Sequence, residues 1–289
     1  MDNHALHEKQ KLKIYRVQID GKSTVIDENV FHLIQNLQQQ NHELQTKPKM
    51  LNFWEFFAQA KSLDPSTAEF CQYILKNRGR SKSQLCQDLF VLFQMNDKAD
   101  GTFLEFGATN GVISSNTFLL EREFGWKGVL AEPSEQWHSD LKKNRPNATI
   151  VTECIYSESG LTLDFFVSAA GELSTLEDFR QSDQKSMPGN TQNRNKSGYS
   201  TKVQSVALND VFIKYFDSKP IDYMSVDTEG SELTILENFD FGSFGPKILT
   251  VEHNFSEDQV KIDELLQKNN YLRIFRDQSV FDAWYVRQS

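Results

Sequence analysis

Acidic side chains stand at the predicted ends of three apolar segments, a pattern typical of ligand sites in open α/β sheets. Glu105 closes one segment just before Gly107, Glu132 closes the next, and Asp227 follows a third. A carboxylate beside a glycine turn suits a ligand with an ammonium group, and an acid at the next strand end can accept hydrogen bonds from two ribose hydroxyls. Strand-end acids also act as helix N-caps, but two of them at successive strands favour a nucleoside site.

The turn that follows Glu105 reads Gly107-Ala108-Thr109-Asn110-Gly111. Gly107 lets a ligand approach the backbone closely, and Gly111 can adopt a conformation that residues with a Cβ atom rarely adopt. The turn lacks the GxGxxG pattern that places a pyrophosphate on a helix N-terminus. This difference disfavours a nicotinamide-dependent oxidoreductase.

Candidate catalytic groups follow two later strands of the predicted sheet. Asp227 and Glu229 come directly after the apolar segment Ile221–Val226. His253 is the only histidine beyond residue 138, and it would lie at the same sheet edge as Asp227. That position favours a role as general base. Glu229 and Glu232 have an alternative use at the N-terminus of the helix that follows.

A sheet must position these side chains, and from Ser81 onward the sequence alternates between strand and helix patterns. Such alternation predicts a mostly parallel sheet covered by helices on both faces, which is an α/β architecture. The last two strands, joined by Asp277-Gln278-Ser279, predict a hairpin and therefore one antiparallel strand. Strands are expected over 102–106, 128–131, 148–155, 161–167, 201–206, 221–226, 248–252, 271–275 and 281–286, and helices over 114–123, 134–143, 208–215, 231–238 and 258–268.

Residues 1–80 differ from the rest of the chain in pattern and in charge, because they read as helical and carry a slight excess of basic residues. Helices are predicted over Val30–Leu44, over Leu51–Ala60 and from Pro65 to about Lys76, where an N-cap precedes a proline at the first helical position. We therefore expect an N-terminal helical extension over 1–80 and a main domain over 81–289. The helices of the extension offer a surface for a homodimer.

The polar segment 171–200 is expected to be the least structured part of the chain. No acidic residue lies between Asp183 and Asp210, whereas that window contains the basic residues Lys185, Arg194, Lys196 and Lys202. A solvated loop accounts for this composition. The alternative is a mobile flap that meets an anionic substrate.

The overall composition excludes several classes of protein. The 289 residues are 38% hydrophobic and 25% charged, as in ordinary globular proteins, and no apolar run approaches the roughly 20 residues that span a bilayer. A net charge of −9 disfavours nucleic acid as a partner. The three widely spaced cysteines and the absence of a signal sequence predict a cytoplasmic protein without disulfides.

Several motifs between Ser81 and the C-terminus resemble those of the FkbM-type family of S-adenosylmethionine-dependent methyltransferases. One departure is Thr228, where the family more often has valine or isoleucine. The motifs are Ser83-Gln84, Gln87-Asp88-Leu89-Phe90, Glu105-Phe106-Gly107-Ala108 with Gly111, Ser115-Asn116-Thr117 with Glu121, Gly125-Trp126-Lys127-Gly128, Glu132-Pro133, and Val226-Asp227-Thr228-Glu229-Gly230-Ser231-Glu232 with Leu236.

This resemblance implies a Rossmann-like class I methyltransferase fold, in which a seven-stranded, mostly parallel sheet has an antiparallel last strand. It also implies S-adenosylmethionine as the cofactor, with Asp227 facing the methyl group that is transferred. The other implied cofactor contacts are Glu105, Gly107, Ala108 and Gly111 at the methionine part, Gln87, Ser115 and Asn116 at its polar ends, Glu132 with Pro133 at the ribose, and Cys154 beside the adenine.

The implied reaction is O-methylation of a hydroxyl on a sugar, glycan or secondary metabolite. Positioning the acceptor oxygen close to the methyl carbon supplies much of the acceleration, and His253 or Asp227 would remove the acceptor proton. Alternatively, a divalent metal held by Asp227, Glu252 and His253 would lower the acceptor pKa. A nicotinamide-dependent Rossmann oxidoreductase and a non-catalytic methyltransferase-like scaffold are the competing functions.

Overall fold

The computed structural model describes residues 14–19, 22–27 and 64–288. In chain order its strands are β1 (Ile14–Ile19), β2 (Lys22–Asp27), β3 (Thr102–Phe106), β4 (Lys127–Ala131), β5 (Thr149–Val151), β6 (Cys154–Tyr156), β7 (Thr162–Ser168), β8 (Thr175–Leu176), β9 (Gly198–Ala207), β10 (Tyr223–Val226), β11 (Ile248–Glu252), β12 (Tyr271–Ile274) and β13 (Asp282–Arg287). Its α-helices are α1 (Pro65–Asn77), α2 (Gln87–Gln94), α3 (Phe118–Phe124), α4 (Glu135–Asn144), α5 (Pro188–Asn195), α6 (Leu208–Tyr215), α7 (Glu232–Glu237), α8 (Phe241–Phe244) and α9 (Asp258–Lys268).

The main sheet has seven strands in the order β12-β13-β11-β10-β3-β4-β5. Neighbouring strands from β11 to β5 run parallel, whereas β13 lies between β11 and β12 and is antiparallel to both. The predicted mostly parallel sheet with an antiparallel last strand is therefore confirmed. The carboxyl ends of β3, β4, β10 and β11 meet at one edge, and this edge carries most of the acidic residues singled out in the sequence.

The main sheet is buried on both faces, because successive side chains of a strand point to opposite sides. In β3, Leu104 and Phe106 belong to one core cluster and Phe103 belongs to the other. Helices α6, α7 and α9 cover the first face, and α1 to α4 cover the second. This three-layer arrangement explains why the strands read as nearly continuous apolar runs.

The sequence predicts a helical extension over residues 1–80, but this part of the chain also contains strands. Strands β1 and β2 form an antiparallel pair, so the helical expectation is wrong for residues 14–19 and 22–27. The predicted helices over 30–44 and 51–60 lie outside the described residues. The third predicted helix is present as α1.

Helix α1 begins as the sequence indicated and packs into the main core. Asp64 caps it by accepting a hydrogen bond from the backbone N–H of Thr67, and Pro65 occupies the first turn. The ring of its buried Phe70 stacks on Phe275 with centroids 4.3 Å apart. Residues on both sides of the predicted boundary at residue 80 therefore pack into one core. Separate roles for residues 1–80 and 81–289 stay a prediction.

The segment predicted as a single strand over 148–155 divides into two strands of different sheets. Strand β5 pairs with β4 in the main sheet, whereas β6 pairs with β9 in a second, four-stranded sheet of order β6-β9-β7-β8. The chain turns at Thr152 and Glu153, and periodicity alone gives no sign of that turn. The division places Cys154 at the start of the second sheet.

The segment 171–200 has more structure than the sequence indicated. It contains β8, α5 and two 3-10 helices at Gly171–Leu173 and Glu177–Phe179. The predicted helix over 114–123 is in turn shorter, because it begins only at Phe118. Among the described residues no helix is long and apolar enough to cross a membrane.

Candidate active site

A pocket of about 280 Å³, a volume that includes open space at its mouth, lies at the carboxyl ends of β3, β10 and β11 beside the start of β13. Carboxyl, amide and hydroxyl groups form most of its wall. No lysine, arginine or histidine lines it among the residues that the structure describes. The lining residues are Gln84, Gln87, Ser114, Asn116, Ser225, Val226, Asp227, Thr250, Glu252, Phe281 and Asp282.

Asp227 and Glu252 form a pair of carboxyl groups in the pocket wall. Burial and the nearby carboxylates of Glu232 and Asp282 raise the pKa of Asp227 to about 8, although a hydrogen bond with Glu252 acts in the opposite direction. Burial and the proximity of Asp227 likewise raise the pKa of Glu252 well above its usual range. The pair therefore holds a proton near neutral pH and can exchange it with a ligand.

Glu229, the other catalytic candidate of this motif, has a partner of its own. Its Oε2 atom lies 2.7 Å from the Nη2 atom of Arg194, which comes from the 171–200 segment. Asp227, Glu229 and Glu252 nonetheless place carboxylate oxygens within 4.8 Å of one another. Of the three acids, Glu229 is the one that a guanidinium contacts, and this contact only partly opposes the burial and the nearby Asp227 that raise its pKa well above the usual range.

Glu105 binds the loop that precedes α3. One of its carboxylate oxygens accepts a hydrogen bond from the backbone N–H of Asn116 at 2.6 Å, and the other accepts one from the hydroxyl of Ser115 at 3.0 Å. Thr117 also donates to this carboxylate, and the guanidinium of Arg145 lies 3.9 Å away. These contacts explain why helix α3 starts late, because residues 115–117 wrap around the Glu105 carboxylate.

The glycine turn that follows Glu105 lies against the backbone of Asp227. Gly107 has φ +63°, and a Cβ atom placed there would lie 2.5 Å from the carbonyl oxygen of Asp227. Ala108 is buried and donates its N–H to the Ala131 carbonyl oxygen. Gly111 packs instead against α4, where a Cβ atom would meet Leu141. The turn therefore depends on glycine for packing inside the protein as well as for access to a ligand.

Glu132 lies on the neighbouring strand end, and its charge has no basic partner among its described contacts. Its two carboxylate oxygens each accept one backbone hydrogen bond at 2.8 Å, from Thr109 and from Ser134. Burial raises its pKa to about 7, and these two bonds only partly offset the increase. Two further acceptor positions remain on the carboxylate, as two ribose hydroxyls require.

Two apolar groups lie near Glu132, in space or in sequence. Cys154 is buried, and this burial together with the charge of Glu132 raises the pKa of its thiol to about 12, so the thiol is neutral. Pro133, which follows Glu132 in the sequence, is half-buried. A neutral sulfur and a proline ring suit the face of an aromatic base.

Gln87 and Asn116 reach the pocket from the segments on either side of β3. Gln87 donates its amide N–H to Asp282 at 2.9 Å and accepts the backbone N–H of Leu85. Asn116 donates its amide N–H to Ser225 at 2.9 Å, whereas its Oδ1 atom is buried without a hydrogen-bond partner. An orphaned acceptor in a pocket wall favours a ligand that brings a donor.

The structure places His253 outside the pocket wall and engages both of its ring nitrogens. Its Nδ1 atom accepts the backbone N–H of Phe255 at 3.0 Å, and its Nε2 atom lies 3.0 Å from the carbonyl oxygen of Asp282. Burial and the neighbouring guanidinium of Arg273 lower its pKa to about 4. The imidazole is therefore neutral, both ring nitrogens are engaged, and the side chain does not line the pocket.

The three residues expected to hold a metal do not come together. Asp227 and Glu252 are close, but both nitrogens of His253 bind the backbone and its ring is not part of the carboxylate group. Glu229 is the nearest replacement, and Arg194 already binds one of its oxygens. The residues present do not fit the expected metal site, and we derive no step through a metal.

Sequence reasoning missed two residues that the structure brings to this region. Asp282 opens β13, and its buried carboxylate accepts hydrogen bonds from Gln87 and Trp284. A charged residue at the start of an apolar strand was the signal that could have revealed it. Arg194 contacts Glu229 across 35 residues of sequence, and no local pattern indicates that pairing.

The sequence of this chain is similar to that of one family of known proteins. Residues 105–273 match the family model described as the methyltransferase FkbM domain. A search of the curated proteins returns no match.

Among solved structures, a methyltransferase FkbM from Methylobacillus flagellatus aligns at 10% identity over 78% of this chain, with a TM-score of 0.41. The chain spans 63% of that protein, which is less than two thirds of its length. A precorrin-6y C5,15-methyltransferase from Geobacter metallireducens aligns at 12% identity over 76% of this chain and 79% of its own length, with a TM-score of 0.35. A ribosomal protein L11 methylase from Lactobacillus delbrueckii subsp. bulgaricus aligns at 9% identity over 71% of this chain and 78% of its own length, with a TM-score of 0.38.

Proposed function

This chain belongs to the FkbM methyltransferase family, and from that premise we propose that it methylates a hydroxyl oxygen of a sugar, glycan or secondary metabolite. The protein is an S-adenosylmethionine-dependent methyltransferase with the class I methyltransferase fold. The observation that carries the proposal is the Asp227–Glu252 pair, which offers a proton acceptor in a pocket at the edge where β3, β10 and β11 end.

The residues present fit the cofactor at two points. Glu132 has two unused acceptor positions for ribose hydroxyls, and the orphaned Oδ1 atom of Asn116 suits a donor such as the methionine ammonium group. When bound, S-adenosylmethionine supplies a methyl group activated by its sulfonium. We assign Glu105 an indirect role, because its oxygens already hold the Ser115–Thr117 loop that presents Asn116.

Asp227 is our candidate for the general base. It would accept the proton of the acceptor hydroxyl as the new C–O bond forms and the S–C bond of the sulfonium breaks, with Glu252 sharing that proton. A carboxyl group whose pKa lies near 8 is better matched to this task than an ordinary aspartate, since it holds the proton more strongly. Orientation of the acceptor oxygen supplies the larger part of the acceleration.

The charge of the pocket favours a neutral, hydroxyl-rich acceptor. Asp282, whose pKa is raised only to about 6, would repel a phosphate or carboxylate group near neutral pH, as would any charge left on the Asp227–Glu252 pair, and the described lining residues include no basic side chain to offset it. Arg194 of the segment 171–200 does not supply one, because it is fully buried and bound to acids, and no residue of that segment is among the described lining residues. This weakens the alternative of a flap that meets an anionic substrate.

A cytoplasmic location is a further part of the proposal. All three cysteines, Cys71, Cys86 and Cys154, are buried and free in the structure, which suits a reducing compartment. Homodimer formation through the N-terminal helices stays a prediction, as does the absence of nucleic acid among the partners.

The test is a transfer assay with isotopically labelled S-adenosylmethionine and a panel of neutral sugars, each paired with its phosphorylated form. We expect product from neutral members, at least about 100-fold less turnover in Asp227→Asn, and little change in the affinity for S-adenosylhomocysteine. Products labelled at nitrogen or carbon, or a preference for the phosphorylated forms, would contradict the proposal. Prolonged chelation should leave the rate unchanged, and loss of activity that returns with Mg²⁺ would reinstate a metal.

A further inference from the structure

Arg194 is a completely bound side chain near the active site. It is fully buried, and each of its five N–H groups has an acceptor. Nε donates to the carbonyl oxygen of Leu173 at 2.8 Å, and Nη1 donates to that of Arg180 at 3.1 Å. The remaining donors reach both oxygens of Asp183, at 2.8 and 3.2 Å, and the Oε2 atom of Glu229 at 2.7 Å.

The same segment also holds the backbone of the Asp227–Gly230 turn. The hydroxyl groups of Thr175 and Ser182 donate to the carbonyl oxygen of Glu229 at 3.0 and 3.2 Å. Glu229 has φ +61° and Gly230 has φ +128°, both in the region that L side chains rarely adopt. A Cβ atom on Gly230 would lie 2.6 Å from the Oγ atom of Ser182, so the segment packs directly onto the turn.

The Arg194–Glu229 ion pair also affects the balance of charge at this edge of the sheet. Glu229, Asp227 and Glu252 place oxygens within 4.8 Å of one another. Arg194 shares its single positive charge between Glu229 and Asp183, and so it offsets part of the negative charge of this group. If Arg194 is removed, a third buried carboxylate stands uncompensated beside the pair that faces the pocket.

We propose that Arg194 is a positioning residue for methyl transfer, which acts through Glu229 to hold the Asp227–Gly230 turn and to offset part of the negative charge beside the Asp227–Glu252 pair. On this view Glu229 is the counter-ion of Arg194 and not a catalytic group, in contrast to its expected role. The inference rests on the proposed function only for its activity readout, because the conformation of the turn can be measured separately.

The experiment compares Arg194→Gln with the double variant Arg194→Gln/Glu229→Gln, in which neutral amides replace both members of the buried ion pair. Lys185→Gln is the matched control, since Lys185 belongs to the same segment but is 87% exposed and pairs only with Glu257. Each variant is assayed for kcat, for the KM of the acceptor, for S-adenosylhomocysteine affinity by calorimetry, and for amide hydrogen exchange in the peptide spanning residues 226–232.

We expect Arg194→Gln to lower kcat by about 100-fold, because a displaced turn misaligns the acceptor. Its affinity for S-adenosylhomocysteine should stay within about threefold of the wild type, since Glu132 and Asn116 lie on other elements. The double variant should recover kcat to within about fivefold of the wild type, because the net charge of the Arg194, Asp183 and Glu229 cluster returns to its wild-type value. Hydrogen exchange in the turn should rise in the single variant and return in the double variant.

Wild-type kcat and unchanged exchange in folded Arg194→Gln would overturn the proposal, as would a double variant no more active than the single one. If Arg194→Gln does not fold, the double variant decides alone: activity near wild type supports the proposal, and inactivity in a folded protein overturns it. If the wild type methylates no acceptor, the proposed function fails. Hydrogen exchange then still tests whether Arg194 holds the turn.

Discussion

Asp227 and Glu252 are carboxyl groups that the fold buries side by side at the pocket. Their charges repel each other and no described basic residue lines the pocket, so the folded protein favours the protonated form. Functional sites commonly retain such unfavourable arrangements because the ligand or the reaction requires them. A ligand with a positive charge beside the pair, such as a sulfonium, would favour its deprotonated form.

This burial predicts that Asp227→Asn stabilises the ligand-free protein while it removes activity. The folded-state pKa near 8 lies above the unfolded value, so the stability that the protonated Asp227 contributes is present at low pH and lost as pH rises through about 8. We expect Asp227→Asn to raise the free energy of unfolding by about 1–2 kcal/mol at pH 8 and by less at pH 5.

Urea unfolding at both pH values measures this difference. Asp217→Asn is the control, because Asp217 is exposed and pairs only with Lys219 at the surface. A variant less stable than the wild type at pH 8, or a difference that does not grow with pH, would show that the Asp227 charge is compensated in solution.

Glu132 gives the second prediction at the residue scale, on the pH dependence of cofactor binding. Its pKa near 7 means that the carboxylate form, which accepts hydrogen bonds from ribose hydroxyls, increases from pH 6 to pH 8. We expect the affinity for S-adenosylhomocysteine to rise by about tenfold over that range. Glu132→Gln should bind more weakly at pH 8 and should lose this dependence.

Calorimetric titrations at pH 6, 7 and 8 test this directly, with Glu237→Gln as a control because Glu237 is exposed on α7. The assignment of Glu132 to the ribose is wrong if the variant keeps wild-type affinity at pH 8.

Helix α1 shows at the scale of elements how the N-terminal part of the chain joins the sheet. Phe70 lies between Phe275, Phe90 and Trp284, with ring centroids 4.3, 6.2 and 5.9 Å away. These rings come from four separate segments, so the helix is a structural part of the layer that supports β3 and β13.

Phe70→Ala should therefore destabilise the whole molecule by about 3–5 kcal/mol, the usual cost of deleting a fully buried aromatic ring. Phe255→Ala is the matched control, because that ring is 51% exposed and its loss should cost less than about 1 kcal/mol. Chemical unfolding followed by tryptophan fluorescence measures both. Equal and small effects would mean that α1 behaves as a separate extension, as the sequence had suggested.

At the scale of the whole molecule, the proposed cofactor contacts come from segments that only the folded sheet assembles. A ligand that binds them stabilises the native state, and S-adenosylhomocysteine at 100 times its Kd should add about 2.7 kcal/mol to the free energy of unfolding. NADH at the same concentration should add nothing, since the turn after β3 lacks a pyrophosphate site. A comparable shift with NADH would revive the oxidoreductase alternative; thermal unfolding with each ligand distinguishes the two.

The sequence by itself determined the alternation of strands and helices, the antiparallel last strand and the acids at the strand ends. These features are local in the sequence. A strand that is buried on both faces has a continuous apolar run, and each acid directly follows its own strand. Strand β3 and helices α6 and α9 have the bounds that the sequence predicted. The division of 148–155 between two sheets was not predictable, since both halves are apolar and only their partners differ.

Only the tertiary structure decided which of the candidate groups are available for chemistry. Glu229 is paired with Arg194 and Gln87 with Asp282, and His253 binds the backbone through both ring nitrogens. These partners are distant in sequence or come from the path of the chain, so no local pattern reveals them. The charge and accessibility of a buried group depend on what the fold places around it, and that physical fact separates Asp227 and Glu252 from the other candidates.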